Sequence, residues 1–281
     1  MAKIKIVTDS TSDLSPAMAE QYDIEVIPLT VTVAGQSYRD GIDISPDQFY
    51  PFLTTAKELP KTSQPSPGDF AKVFEAWINR GYQVLSIHLS SGLSSTVQSA
   101  AIAAERLNPD LVRVVDSKFL SFGLAFQAME AAAMAAAGHS LQEIVERLKT
   151  VRERMELVFS LDTLHFLEKG GRIGKVSALL GSLLNIKPLI RVDDGIYVPF
   201  GKTRSQSQAL ERFVQFMQEK VGSQPVRVAV GHGRALQAGQ RLKEMVEHSL
   251  HITGDVTLFE VGPVIGVHTG PGTIGAAFYP V

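Results

Sequence analysis

The chain has no cysteine among its 281 residues. Disulfides, thiolate metal sites and a cysteine nucleophile are excluded together. An excess of charge of either sign is also missing: 27 Lys and Arg face 29 Asp and Glu, a formal net charge of -2. No basic run follows a phosphate backbone, so nucleic acid is not an expected partner, and no long-range field draws the chain to an anionic membrane. Long hydrophobic runs are absent too. The N-terminal MAKIKIVTDS enters a strand pattern at once, with no apolar export segment. The least polar stretch, residues 119–138, is interrupted by Ser121, Gln127 and Glu130 and reads as a buried helix rather than a membrane span. The expected setting is a reducing cytoplasm, with at most transient membrane contact.

What is present is an alternation of short β-branched runs with helical patterns. Residues 4–9, 84–89 and 112–116 are apolar without strict alternation, the pattern of buried parallel strands. Ser15-Pro16, Ser45-Pro46 and Ser66-Pro67 each put a capping hydroxyl before a proline at a first helical position. Phe70, Val73, Phe74 and Trp77 then share one helical face, ended by Gly81, and Ser140 with Glu143 forms a capping box for a helix to about Arg154. After about residue 155 the texture changes. Strands are expected at 156–161, 189–192, 196–199, 226–231, 256–261 and 275–278, with helices at 206–221 and 235–250. Asp193-Asp194-Gly195 between two of these strands signals a hairpin. The expected fold is α/β in two domains: an open parallel sheet with flanking helices over 1–154, and a mixed-sheet α/β unit over 155–281.

In such a sheet, ligands bind beyond the carboxyl ends of the strands. Three predicted strand ends are loaded with small polar residues: Asp9-Ser10-Thr11-Ser12-Asp13, Ser90-Ser91-Gly92-Leu93-Ser94-Ser95-Thr96 and Asp116-Ser117. The second carries five hydroxyls and leads into a helix, where one hydroxyl would suffice as a cap. A helix N-terminus with surplus donors suits an anion. A serine-hydrolase elbow is disfavoured, because Gly92-Leu93-Ser94 continues as Ser95-Thr96 and not as G-x-S-x-G. Lys61-Thr62-Ser63-Gln64-Pro65-Ser66-Pro67 reads as a loop with further donors. Residues 168–175 hold glycines and basic side chains but lack the Walker A spacing. The apolar stretch that follows, with Leu179, Leu180, Leu183 and Leu184, reads as a core-facing helix that could also wall an apolar tunnel. His268 lies in a glycine-dense segment, His88 reads as a packed core residue, and no histidine pair has metal-site spacing.

Taken in order, Asp9-Ser10-Thr11-Ser12-Asp13, Thr62-Ser63-Gln64-Pro65-Ser66, Ser90-Ser91-Gly92-Leu93-Ser94, Val115-Asp116-Ser117, Gly170-Gly171-Arg172 and His268-Thr269-Gly270-Pro271-Gly272 resemble the DegV family across the whole chain. The resemblance implies a two-domain fold shared with dihydroxyacetone kinases. It implies one long-chain, hexadecanoate-like fatty acid bound between the domains and no other cofactor. It also implies a carrier, not an enzyme, that presents the carboxylate to a separate fatty-acid kinase for acyl-phosphate formation in phospholipid synthesis. The family's carboxylate-binding threonine and serine fall on Thr62 and Ser94, with Ser63 and Ser91 beside them. Its Gly-Gly-Arg arginine falls on Arg172, its loop histidine on His268, and a basic residue of the kinase contact on Arg204. One departure stands out: Ser95 occupies a position that is usually glycine in the family. The fold kinship leaves a second reading, a dihydroxyacetone-kinase-like subunit that captures a small polar carbonyl compound with His268.

Overall fold

The computed structural model describes residues 3–56, 58–108, 110–182 and 186–281. Its strands are β1 (Lys3–Asp9), β2 (Ile24–Ile27), β3 (Thr30–Val33), β4 (Gln36–Arg39), β5 (Lys61–Ser63), β6 (Tyr82–His88), β7 (Val112–Asp116), β8 (Glu156–Ser160), β9 (Lys187–Asp193), β10 (Ile196–Thr203), β11 (Val226–His232), β12 (Thr257–Glu260) and β13 (Ile274–Pro280). Its α-helices are α1 (Pro16–Gln21), α2 (Pro46–Thr55), α3 (Pro67–Ile78), α4 (Thr96–Glu105), α5 (Ser121–Ala136), α6 (Leu141–Arg154), α7 (His165–Lys169), α8 (Gln206–Val221), α9 (Leu236–Ser249) and α10 (Pro263–Thr269). Short 3-10 helices occupy Ser10–Ser12 and Gly174–Ser182.

Three sheets result. A fully parallel sheet has the order β2-β1-β6-β7, and a mixed sheet has the order β10-β9-β8-β13-β11-β12. These are the parallel and mixed sheets expected from sequence. The third sheet, β4-β3-β5, is antiparallel and was not expected. Its strands are three or four residues long, too short for a period to stand out. It also corrects the reading of residues 61–67 as a loop in part: Lys61–Ser63 is a strand, with Thr62 paired to Val31, and residues 64–66 are the loop that enters α3.

The helix starts follow the predicted chemistry. Ser45, Ser66 and Ser140 form complete capping boxes, and Ser15 accepts from the Met18 amide at 3.2 Å. The glycine-led apolar stretch behaves differently. It forms the 3-10 helix Gly174–Ser182, with Val176 buried and Leu180 exposed, so it is not a core-facing α-helix. Three-fold spacing turns its apolar residues to several sides instead of one stripe. Leu183 and Leu184 lie outside the described residues.

Helix α5 is buried along most of its length. Its alanines let sheet and helix approach closely, and its aromatic residues reach the mixed sheet. Phe122 lies 6.3 Å from Phe259, and Phe126 meets Tyr279 edge-on at 5.5 Å. On the other side α5 packs on β1. A single apolar cluster therefore runs from Ile6 and Leu85 through α5 to Phe159, Ala229 and Tyr279. Among the described residues no helix is long and apolar enough to cross a membrane.

Candidate functional site

The parallel order β2-β1-β6-β7 reverses direction between β1 and β6. Ligand crevices form at that kind of switch point, beyond the strand C-termini. Here those termini are tied by Asp9. Its Oδ2 lies 2.9 Å from His88 Nδ1 and accepts from the Leu89 amide at 3.1 Å, while Oδ1 accepts from the amide and hydroxyl of Thr11. His88 Nε2 lies 2.6 Å from Ser86 Oγ. The three side chains have the order of a hydrolase triad, an arrangement the sequence reading did not find. All are fully buried, and Phe70 seals the imidazole with its ring centroid 4.9 Å away. No substrate reaches this serine, so the network is a clamp on the two strand ends.

The segment 90–96 is built on that clamp. Ser90 Oγ donates to the Gly195 carbonyl at 2.7 Å, which docks the β9–β10 hairpin onto the loop. The predicted Asp194-Gly195 turn has φ of 44° and 81°, the left-handed pair of a type I′ turn. Gly92 is required beneath it, because a Cβ there would lie 2.7 Å from the Gly195 oxygen. Ser91 Oγ donates to Asp116 Oδ2 at 2.5 Å, and Ser94 Oγ sits 2.9 Å from Thr96 Oγ1. Ser95 occupies the N-cap of α4 with no side-chain cap bond. The five hydroxyls thus do not converge on one pocket. Ser90 and Ser91 are engaged by neighbouring protein groups, and Ser94 is the one that faces the enclosed cavity described next.

That cavity, about 40 Å³, is lined by Thr62, Ser63, Gln64, Ser94, Arg172 and His268 on its polar side, and by Leu29, Leu89, Leu93, Leu120, Tyr197, Val264 and Ile265. Five of the residues expected from sequence therefore meet: Thr62, Ser63, Ser94, Arg172 and His268. Ser91 does not. It lines a more open groove outside, together with Ser95, Gly171, Arg172 and Lys175. Arg204 is exposed beyond the end of β10, its amide donating to Gln208 Oε1, and it is not among the residues lining the cavity. His268 is no loop residue; it sits in the last turn of α10.

Thr62 Oγ1 and His268 Nε2 are 3.0 Å apart. Burial and the nearby Arg172 charge push the imidazole down to about 4, so it is neutral at pH 7. Its Nδ1 is buried with no partner. An unpaired ring lone pair is tolerated more readily than an unpaired N–H. The favoured tautomer carries its proton on Nε2 and donates it to Thr62, leaving the threonine O–H free to donate into the cavity. Arg172 is anchored by Nη1 donating to the Gly170 carbonyl at 2.8 Å and Nε to the Leu93 carbonyl at 3.4 Å.

Leu120, Tyr197 and Ile265 also line a second cavity of about 20 Å³, whose other walls include Phe122, Leu157, Phe159 and Val261. Ser121, Thr269 and Thr273 line it as well, so the second cavity is mainly rather than wholly apolar. Both cavities are small. Sequence reasoning missed most of this lining, because Leu120, Tyr197 and Ile265 come from three distant segments with no shared motif. Among the described residues no group of three His, Cys, Asp or Glu is placed to hold a metal ion.

Comparison with known proteins agrees with the fold. A family model described as "Uncharacterised protein, DegV family" matches residues 3–281. A DegV domain-containing protein of Listeria monocytogenes is 38% identical over 276 residues, 97% of each chain. A DegV family protein from Thermus thermophilus, whose structure is described by its fatty acid binding, superposes with a TM-score of 0.95 at 35% identity, covering 100% of both chains. A stearic acid-binding protein from Eubacterium ventriosum gives a TM-score of 0.89 at 30% identity, covering 100% of this chain and 98% of the other. These solved relatives are described as fatty-acid-binding proteins and not as enzymes. With a match over the whole length and the same α/β fold, this chain belongs to the DegV family.

Proposed function

We propose that this protein binds one long-chain fatty acid and presents its carboxylate to a separate fatty-acid kinase. The carboxylate is held by Thr62 and Ser94, with His268 orienting Thr62, Ser63 alongside and Arg172 at the rim. The tail runs past Leu120, Tyr197 and Ile265 between the units 1–154 and 155–281. The observation that carries this reading is the change from a cavity lined by Thr62, Ser63, Ser94 and His268 to a mainly apolar one that shares the walls Leu120, Tyr197 and Ile265 with it. The fatty acids bound by the solved relatives fit the same chemistry.

Energetics assign the roles. Each methylene contributes about 0.8 kcal/mol when buried, so the tail supplies most of the affinity. The head group needs orientation more than strength. Neutral hydroxyls orient a carboxylate and leave its oxygens nucleophilic, whereas a bidentate guanidinium clamp would make it a poorer phosphoryl acceptor. Arg204 lies on the surface away from the cavity lining, where a kinase could touch it without disturbing the lipid.

The direct test is extraction of the purified protein and identification of its lipid by mass spectrometry. A stoichiometric long-chain fatty acid is expected. Protein that arrives lipid-free and also fails to take up hexadecanoate would overturn the proposal. Kinase presentation is checked separately, with Arg204→Ala in a coupled phosphorylation assay. Lipid binding should be retained and turnover slowed; equal turnover of the two forms removes Arg204 from the contact.

A further inference from the structure

A larger groove lies apart from the acyl path. It encloses about 620 Å³ between α1, the segment Asp40–Pro46, β12 and the start of α10. Leu14, Met18, Val26, Ile42, Ile44 and Phe259 form its apolar walls, and Asp13 and Asp40 line its polar side. No Lys, Arg or His lines it, and Glu260 adds a third acid at one side. That acid faces Arg234, 3.6 Å away.

The acids differ in how fully they are used. Asp9, behind the groove, is held by Thr11, His88 and Leu89. Asp13 accepts from Ser121 Oγ and from the Gly262 amide at 2.9 Å. Asp40 is 3% exposed; Ser10 and the Val264 and Gly41 amides interact with its carboxyl, and its Oδ2 has no close hydrogen-bond partner. A buried carboxylate oxygen without a donor is costly, and native structures rarely leave one unexplained. Here it borders an apolar groove of ligand size. The groove adjoins the distal cavity through the Asp13–Ser121 bond, and the two share no lining residue.

We infer that this groove is a second ligand site, taking an organic cation with an apolar body, an alkylammonium whose head reaches Asp40 while its chain lies on Leu14, Met18, Ile44 and Phe259. Charge complementarity selects the class. An ammonium gives the unpartnered oxygen a donor, whereas a carboxylate or phosphate would find no base among the lining residues. The carboxylates are not arranged as a metal-binding set.

The test is calorimetric titration at pH 8 with octylammonium and, as its anionic counterpart, octanoate. Octylammonium should bind once per chain, and octanoate should not compete for that site. Asp40→Asn should weaken octylammonium by roughly tenfold or more, about 1.4 kcal/mol. Met18→Trp, which fills the groove from α1 and keeps the Asp40 carboxyl, should abolish binding even if the Asn variant folds poorly. Ser94→Ala should leave it unchanged. The inference fails if octylammonium does not bind, if a folded Asp40→Asn variant binds it equally, or if hexadecanoate displaces it, which would return the ligand to the acyl path.

Discussion

Thr62 and His268 show how one proton decides what a site can hold. With the proton on Nε2 the histidine donates to Thr62, and the threonine hydroxyl is free for a carboxylate. With the other tautomer the hydroxyl is spent on the ring. Long-range nitrogen–proton NMR should therefore find His268 neutral at pH 7 with Nε2 protonated; a protonated Nδ1 would sink the assignment of Thr62 as donor. Ser94 faces the same cavity and shares a hydroxyl contact with Thr96. Replacing Ser94 by Ala leaves a bound carboxylate oxygen short of a donor, a loss of about 1–3 kcal/mol, or roughly 5–150-fold in lipid affinity. An unchanged dissociation constant would move the head-group role to Thr62 and Ser63. Thr62, Ser94, Arg172 and His268 were legible because each stands in a short ordered motif. Ser91 shares a motif yet points to Asp116, because neighbours in a turn face different ways.

At the scale of elements, the hydrophobic and capping patterns located most long helices and strands. They did so because Ser-Pro starts and buried β-branched runs carry their own local physics. The small sheet β4-β3-β5 carries no such signal, and it supplies Thr62. Likewise nothing in the sequence gives Gly92 a partner, while in the fold it is a contact surface for the β9–β10 hairpin. Its virtual Cβ would lie 2.7 Å from the Gly195 oxygen and 2.8 Å from Ile196 Cγ2. Gly92→Ala should therefore push the hairpin off the loop, costing about 1–3 kcal/mol by overpacking. It should also weaken lipid retention, since Tyr197 on β10 lines the acyl path. Denaturant unfolding together with a lipid-release assay checks both; a variant that is as stable and as retentive as the parent would show that the hairpin is not positioned through Gly92.

At the scale of the whole molecule, the three sheets converge on three carboxylates. Asp9 ends β1 of the parallel sheet, Asp40 follows β4 of the small sheet, and Asp13 holds the Gly262 amide at the start of α10, just after β12 of the mixed sheet. Sequence put Asp9 and Asp13 in one polar segment, but nothing in it brought Asp40 to them. The convergence has a thermodynamic consequence. Burial is the main cause that pushes Asp40 up to about 7 from an ordinary value of 3.8, with Asp9 repulsion adding to it. Between those values the folded chain holds a proton that the unfolded chain has released, so this group's stabilising contribution is complete below about pH 4 and is lost as the pH rises to about 7. Desolvation lifts Asp13 in the same direction. His268 acts oppositely, because its folded value near 4 lies below 6.5, so its contribution grows as the pH rises between the two. Comparison with Asp40→Asn isolates the carboxylate from that opposing trend. The asparagine variant should gain stability relative to the parent as pH rises from about 4 to about 8, by on the order of 2–4 kcal/mol in total. Urea unfolding of both proteins across that range measures the gap directly. A gap that stays constant with pH would mean that Asp40 titrates alike in the folded and unfolded chain, and that the junction of the three sheets does not hold its carboxyl away from water.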